Sequence, residues 1–179
     1  MMLVMHVDAS EDGDPQSTVP IAVIEPLARV LGEELEALFP EAAQCEQVEL
    51  SLSFLSPLEM QAVNRDYRGQ DEPTDVLSFP LWEEDGFFAP CSALLELLPL
   101  GDILICPEEL GCLQEDLPLD EALCLMLAHG FLHLLAWDHD TEAREQIMWE
   151  RQERLKTKLL NSWRGALDAV ALSVDEEGL

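Results

Sequence analysis

Val48, Leu50, Leu52 and Phe54 alternate with polar neighbours, a period of two that predicts a strand with one wet face. Residues 19–39 instead place Ile24, Leu27, Leu31, Leu35 and Leu38 at helical spacing, which predicts an amphipathic helix. Residues 1–7 alternate poorly but are β-prone and read as a first strand, and residues 11–17, rich in Asp, Gly, Pro and Ser, read as a loop. Ser56-Pro57-Leu58-Glu59 is a helix start: Ser56 caps, Pro57 fits the first turn and Glu59 completes a capping box. That helix should stop near Arg68-Gly69, glycine being the usual terminator.

Residues 76–81 and 102–106 read as the two remaining strands. The long connection between them, residues 82–100, carries Phe87, Phe88 and a Leu-rich run; it is either a hairpin or flap beside a site, or an extended apolar loop packed on the core. Pro107 opens a short helical segment. Residues 118–136 read as a buried helix with Asp120 and Glu121 favourably placed in its first turn. Residues 141–160 form a final helix, and residues 161–179 read as a weakly ordered extension. The expectation is one α/β (α+β) domain over residues 1–160, a four-stranded mixed sheet packed with about five helices, with a metal cleft on the buried helix.

Composition fits one domain, since 179 residues can bury a substantial core but not two comfortable ones. The five cysteines (Cys45, Cys91, Cys106, Cys112, Cys124) form an odd set without a C-x-x-C pair, which points to reduced buried thiols rather than a disulfide scaffold. Residues 1–7 are apolar but short, lack a basic start and run into acidic residues, so they do not read as a signal peptide. The longest apolar stretch, residues 123–137, falls short of a membrane span. The expected location is the cytoplasm, with no membrane partner.

Three of the four histidines fall in the segment His129-Gly130-Phe131-Leu132-His133-Leu134-Leu135-Ala136-Trp137-Asp138-His139. A step of four on a helix puts His129 and His133 on one face, one turn apart, where two imidazoles can share an ion. His139 follows where the helix could end and the chain turn back. Three neutral nitrogens leave a fourth position open, as in catalytic zinc sites. The alternative is a set of hydrogen-bonded core histidines, but unpaired imidazoles in so apolar a stretch would be costly to bury. The spacing matches the three histidines of the zinc-protease pattern H-E-x-x-H-x-x-G-x-x-H, with two differences. Gly130 stands where a protease keeps its glutamate base, so peptide hydrolysis loses its proton acceptor. Ala136 stands at the turning glycine and must either accept a left-handed conformation, at about 1 kcal/mol or more, or turn differently.

A second segment, Asn64-Arg65-Asp66-Tyr67-Arg68-Gly69 followed by Pro73-Thr74-Asp75-Val76-Leu77-Ser78-Phe79-Pro80, resembles the N-x-x-Y-R-G-x-x-x-P-T-D-V-L-S-F-P signature of the YbeY family. Gly101-Asp102-Ile103-Leu104-Ile105 is similar to that family's G-D-I-x-I strand, and the histidine segment falls where the family has H-G-x-L-H-L-x-G-x-D-H. The resemblance spans about residues 48–155. It implies a metal-dependent endoribonuclease acting on ribosomal RNA precursors, specific for single strands, in small-subunit maturation and ribosome quality control. It places His129, His133 and His139 at the metal-ligand positions, for one divalent ion, zinc, per chain. It places Arg68 at the arginine associated with activity. Ala136 is the one visible departure from the pattern.

The net charge of −28 weighs against a nuclease, because phosphate neutralisation usually leaves a basic footprint. Residues 1–140 hold 3 basic and 29 acidic side chains, a balance of −26, and residues 141–179 hold 6 basic and 8 acidic, a balance of −2. Free RNA should be repelled at long range. Either Arg65, Arg68 and the metal grip the phosphate locally while a basic ribosomal protein docks on the acidic surface, or the acidity is a general solubility trait. DNA is not an expected partner.

In the mechanism this implies, the ion would lower the pKa of a water and polarise a phosphodiester oxygen, while Arg68 held a non-bridging oxygen bidentately. For Arg68 the competing role is a surface ion pair. Asp138 either orients a histidine or caps the turn, and Thr74 and Asp75 either line the cleft or cap local backbone. No residue stands out as a general base. Two other functions use the same ligands: an amidase-like or peptidase-like metallohydrolase, and a non-catalytic ribosome-assembly factor with a structural metal.

Overall fold

The computed structural model of the protein describes residues 1–9, 18–90, 96–112, 117–139 and 141–177, so the loop expected at 11–17 lies outside the described residues. In chain order the elements are β1 (Met2–Ala9), α1 (Ile21–Leu38), a 3-10 turn (Pro40–Gln44), β2 (Gln47–Phe54), α2 (Pro57–Arg68), β3 (Val76–Pro80), β4 (Glu83–Glu84), β5 (Phe87–Phe88), β6 (Leu97–Ile105), a second 3-10 turn (Pro107–Cys112), α3 (Leu119–Leu134) and α4 (Glu142–Glu177). The about five helices expected are four α-helices and two 3-10 turns among the described residues.

β1, β2 and β6 run parallel and β3 is antiparallel to β6, giving a mixed sheet in the order β1–β2–β6–β3. In β2, Val48, Leu50, Leu52 and Phe54 are buried and the intervening residues only half so, as the period of two requires. Those side chains join Leu3, Met5, Ile103 and Ile105 in the main core, which α1, α3 and α4 cover. The opposite face carries a smaller cluster, in which Met60 of α2 meets Leu77 and Cys106. α3, apolar all round, is sandwiched between the sheet and α4, where a helix with no wet face belongs.

Two expectations need correction. The strand expected at 102–106 begins at Leu97. Pro99 argues against a central strand, but it lies beside a bulge opposite Glu49 and Leu50 and beyond the β3 ladder, two settings in which a strand tolerates proline. The final helix does not end at Leu160: α4 continues to Glu177, so residues 161–177 are helical where an extension was expected. Trp163 is buried in the main core, and Arg164 Nε lies 3.0 Å from Asp120 Oδ2 at the start of α3, so helix and core remain joined beyond residue 160.

Part of the 82–100 connection is the hairpin foreseen as one option. Asp85 (φ 52°) and Gly86 (φ 77°) form its turn, the Asp-Gly pair suited to two left-handed positions, and the Trp82 indole donates to the Pro99 carbonyl. Residues 91–95 lie outside the described residues. Cys45, Cys106 and Cys124 are free and buried, with burial pushing the Cys106 thiol up to about 11 and Cys124 up to about 12. The side chains of Cys91 and Cys112 are not among those described. No helix among the described residues is long and apolar enough to cross a membrane.

Candidate metal centre

His129 and His133 project from the last two turns of α3, with their Nε2 atoms 3.1 Å apart. The helix then ends in a Schellman motif: the Ala136 N–H donates to the His133 carbonyl and the Trp137 N–H to the Leu132 carbonyl, both at 3.0 Å. Ala136 occupies the left-handed position of that motif (φ 58°), so it takes the strained option and not a different turn. The reversal brings His139 back over the helix end. Its ring centroid is 6.0 Å from that of His129 and 5.4 Å from that of His133, and one nitrogen from each ring lies within 4.8 Å of the others.

This donor set fits a metal ion. Two ring nitrogens bound tetrahedrally to zinc at ~2.0–2.1 Å would stand about 3.3 Å apart, close to the His129–His133 spacing. Burial lowers the pKa of His129 and takes that of His133 down to about 4, each reinforced by the neighbouring imidazoles, so both rings are neutral near pH 7, the form that ligates. His129 is oriented from behind: its Nδ1 lies 2.8 Å from Gln152 Oε1 of α4, which fixes the tautomer that leaves Nε2 free to ligate. Sequence reasoning missed Gln152. Its signal was a polar residue interrupting the apolar stripe of Met148, Leu155 and Leu159 at helical spacing.

Gly130 packs against the sheet. A Cβ there would stand 2.9 Å from Ile103 Cγ2 and 3.0 Å from Ser78 Oγ, so a glutamate at this position would need strand atoms to move. The protease base is therefore absent and its place is filled.

Arg68, at the end of α2, lines the same cleft as the three histidines, a space of about 890 Å³. Three features set its position. Gly69 ends α2 in the left-handed conformation (φ 73°), the Tyr67 ring meets Phe79 edge-on at 5.0 Å, and the Asn64 amide donates to the Glu72 carbonyl at 2.8 Å. The Ser56–Glu59 capping box opens the helix as expected. Arg68 is exposed and makes no ion pair with a carboxylate among the described residues. Arg65, which one of the two readings of the acidic charge set beside Arg68 on the phosphate, is 3.4 Å from Asp66 and 3.6 Å from Asp71 and is not among the residues that line the cleft.

Thr74 and Asp75 both line the cleft, and Asp75 also caps local backbone: its Oδ1 accepts from the Val76 N–H at 2.8 Å and from the Thr74 hydroxyl at 2.9 Å. Asp138 caps the turn, its carboxylate accepting from the His139 N–H at 2.8 Å, and stands 3.9 Å from His139 Nδ1. The cleft has an acidic rim, with Asp75, Glu83, Asp85, Asp138 and Glu145 set against Arg68 and Arg144.

Comparison with known proteins places this geometry. The family description endoribonuclease YbeY matches residues 16–160. The chain belongs to the YbeY family. The YbeY endoribonuclease of Geobacillus thermodenitrificans is 38% identical over 151 residues, covering 79% of this chain and 96% of the relative. That of Halalkalibacterium halodurans is 40% identical over 135 residues (69% and 82%), and that of Sinorhizobium medicae 41% over 143 residues (77% and 75%). Among solved structures, the solution structure of TM1509 from Thermotoga maritima superposes with a TM-score of 0.51 at 26% identity, covering 90% of this chain and 93% of that one. A YbeY chain with this sheet order and three converging imidazoles agrees with the expected fold and family.

Proposed function

We propose that this chain is a metal-dependent endoribonuclease that cuts single-stranded regions of ribosomal RNA precursors, with zinc as its ion and small-subunit maturation and ribosome quality control as its setting. The observation that carries this reading is the convergence of three imidazole nitrogens within 4.8 Å in a cleft that Arg68 overlooks. His129, His133 and His139 hold the ion, which when bound supplies a Lewis acid beside the phosphodiester. Arg68 grips a non-bridging oxygen in the bidentate manner that a guanidinium allows, and its freedom from carboxylate partners among the described residues suits that task. Gln152 and the Asp138 cap keep the ligands aimed. With Gly130 packed on the strands, the reading does not extend to peptide hydrolysis. Ribonucleotides carry their own nucleophile, the 2′-hydroxyl, so the absence of a carboxylate base is less damaging for RNA than for a peptide.

The domain that does this is taken as residues 1–160, where the family match ends, and the cell compartment as the cytoplasm, in keeping with free buried thiols. A basic ribosomal protein is the natural partner for the acidic surface. The experiment is metal content together with RNA cleavage for wild type, His133→Ala and Arg68→Ala. One equivalent of metal and cleavage, both lost in His133→Ala, with metal kept but cleavage lost in Arg68→Ala, is expected. Equal traces of cleavage in all three would overturn the catalytic reading and leave a structural metal.

A further inference from the structure

The proposed substrate and the cleft conflict electrostatically. Five carboxylates and two guanidiniums line the cleft, so even a dication on the imidazoles leaves it net negative, and with −28 on the whole chain charge neutralisation cannot supply much of the affinity for RNA. Another source of binding energy is required, and it must be indifferent to phosphate charge.

One face of α4 lines the same cleft as Arg68: Arg144, Glu145, Met148, Trp149 and Gln152 recur at helical spacing along it. Met148 and Gln152 are buried, whereas Trp149 is 65% exposed, a large aromatic surface left open to water. Trp137 also lines the cleft, between His133 and His139 in sequence. The Arg151 guanidinium carbon sits 4.4 Å from the Trp137 ring centroid, and Arg151 Nε is buried without a hydrogen-bond partner among the described residues. An arginine held that way is spent on the ring, and stiffens it. Two indoles, one packed against an arginine and one open, therefore line the cleft that holds the imidazole cluster.

We infer that Trp149, with Trp137 in the same cleft, is a stacking shelf for an unpaired nucleobase next to the phosphodiester to be cut, and that RNA binding by this acidic chain is carried more by stacking than by charge. This rests on the endoribonuclease reading above and deepens it. Every base presents a π face, so the shelf selects single strands without selecting sequence, and a duplex, whose bases are already stacked, is refused. Arg68, in the same cleft, then needs to meet only the phosphate.

The test uses the metal-loaded full chain and a fluorophore–quencher single-stranded oligoribonucleotide, with Trp149→Ala, Trp149→Phe, and the same oligonucleotide bearing abasic riboses beside the cut. Loss of one stacking partner is expected to raise KM by about 5- to 100-fold in Trp149→Ala, with most of that recovered in Trp149→Phe and kcat little changed. Abasic riboses should raise KM for wild type and add nothing further in Trp149→Ala. The wild-type KM should also vary weakly with salt, with a log–log slope no steeper than about two phosphate contacts would give. An unchanged KM in Trp149→Ala, or equal penalties from abasic riboses in both proteins, would overturn the shelf while leaving the nuclease intact. If wild type cleaves nothing, the nuclease reading fails by itself; tryptophan quenching by the oligonucleotide, present in wild type and lost in Trp149→Ala, would still support the shelf, and its absence would end both.

Discussion

Gln152 Oε1 lies 2.8 Å from His129 Nδ1, a contact from the last helix to a ring on the buried one, 23 residues earlier. It fixes which nitrogen of His129 carries the proton. Replacing Gln152 with Leu keeps the volume and removes the acceptor, so metal affinity should fall by about 10- to 100-fold. Competition with a chelating dye measures this, and wild-type affinity in the variant would rule out the orienting role.

Ala136 sits at φ 58° in a position that favours glycine. Ala136→Gly should stabilise the protein by up to about 1 kcal/mol, since the left-handed penalty exceeds the entropy that glycine adds to the unfolded chain. A rise of roughly 2–4 °C in Tm is the expected signature for a domain of this size. A lower Tm would mean that the alanine methyl packs better than its backbone suffers.

Acid should destabilise the metal-free protein in a defined window. His133 titrates near 4 when folded and near 6.5 when unfolded, and His129 shifts in the same direction, both chiefly through burial. Between those values the unfolded chain binds more protons, so stability rises with pH: the contribution is complete above about 6.5 and is lost as pH falls toward 4. For His133 it is at most about 3 kcal/mol, reduced by the partial solvent access of the ring. Urea midpoints of chelator-treated protein at pH 7 and pH 4.5 should differ, and His133→Leu should flatten the difference.

Gly101 has φ 135°, and a Cβ there would fall on the Phe79 carbonyl oxygen of the neighbouring strand. Gly101→Ala combines backbone strain with a backbone clash and should cost roughly 3 kcal/mol or more. Denaturant unfolding reads this directly; a loss under 1 kcal/mol would show that β3 can move aside.

Glu34 is 3% exposed, and its carboxylate accepts from Lys158 Nζ at 2.8 Å, joining α1 to α4. Lys158→Met should therefore cost more than Glu34→Leu, because only the former strands a buried carboxylate; Arg154, 3.9 Å away, softens the loss to about 2 kcal/mol. Equal effects in the two variants would mean that the pair acts only as a surface contact.

Much of this architecture was legible because it follows from local rules. The Ser56 capping box, the Gly69 stop and the alternating β2 each depend on a few adjacent residues, and each stands where its pattern indicates. The three histidines converge for the same reason, one helix turn plus one reversal. What escaped depends on tertiary partners. Pro99 belongs to a strand because of a bulge against β2, the last helix outruns Leu160 because Trp163 finds the core and Arg164 finds Asp120, and Gln152 matters only because α4 lies across α3. Arg65 and Arg68, three residues apart, carry the same charge, and only the family resemblance set Arg68 apart; the fold gives one to Asp71 and the other to the cleft.

The three imidazoles lie within one short, contiguous segment, whereas Arg68 arrives from across the sheet. On the roles proposed above, holding the ion would draw on α3, its reversal and, through Gln152, α4, whereas cutting would also need α2 to deliver Arg68. A defect confined to α2 would then leave a chain that stores metal without touching RNA.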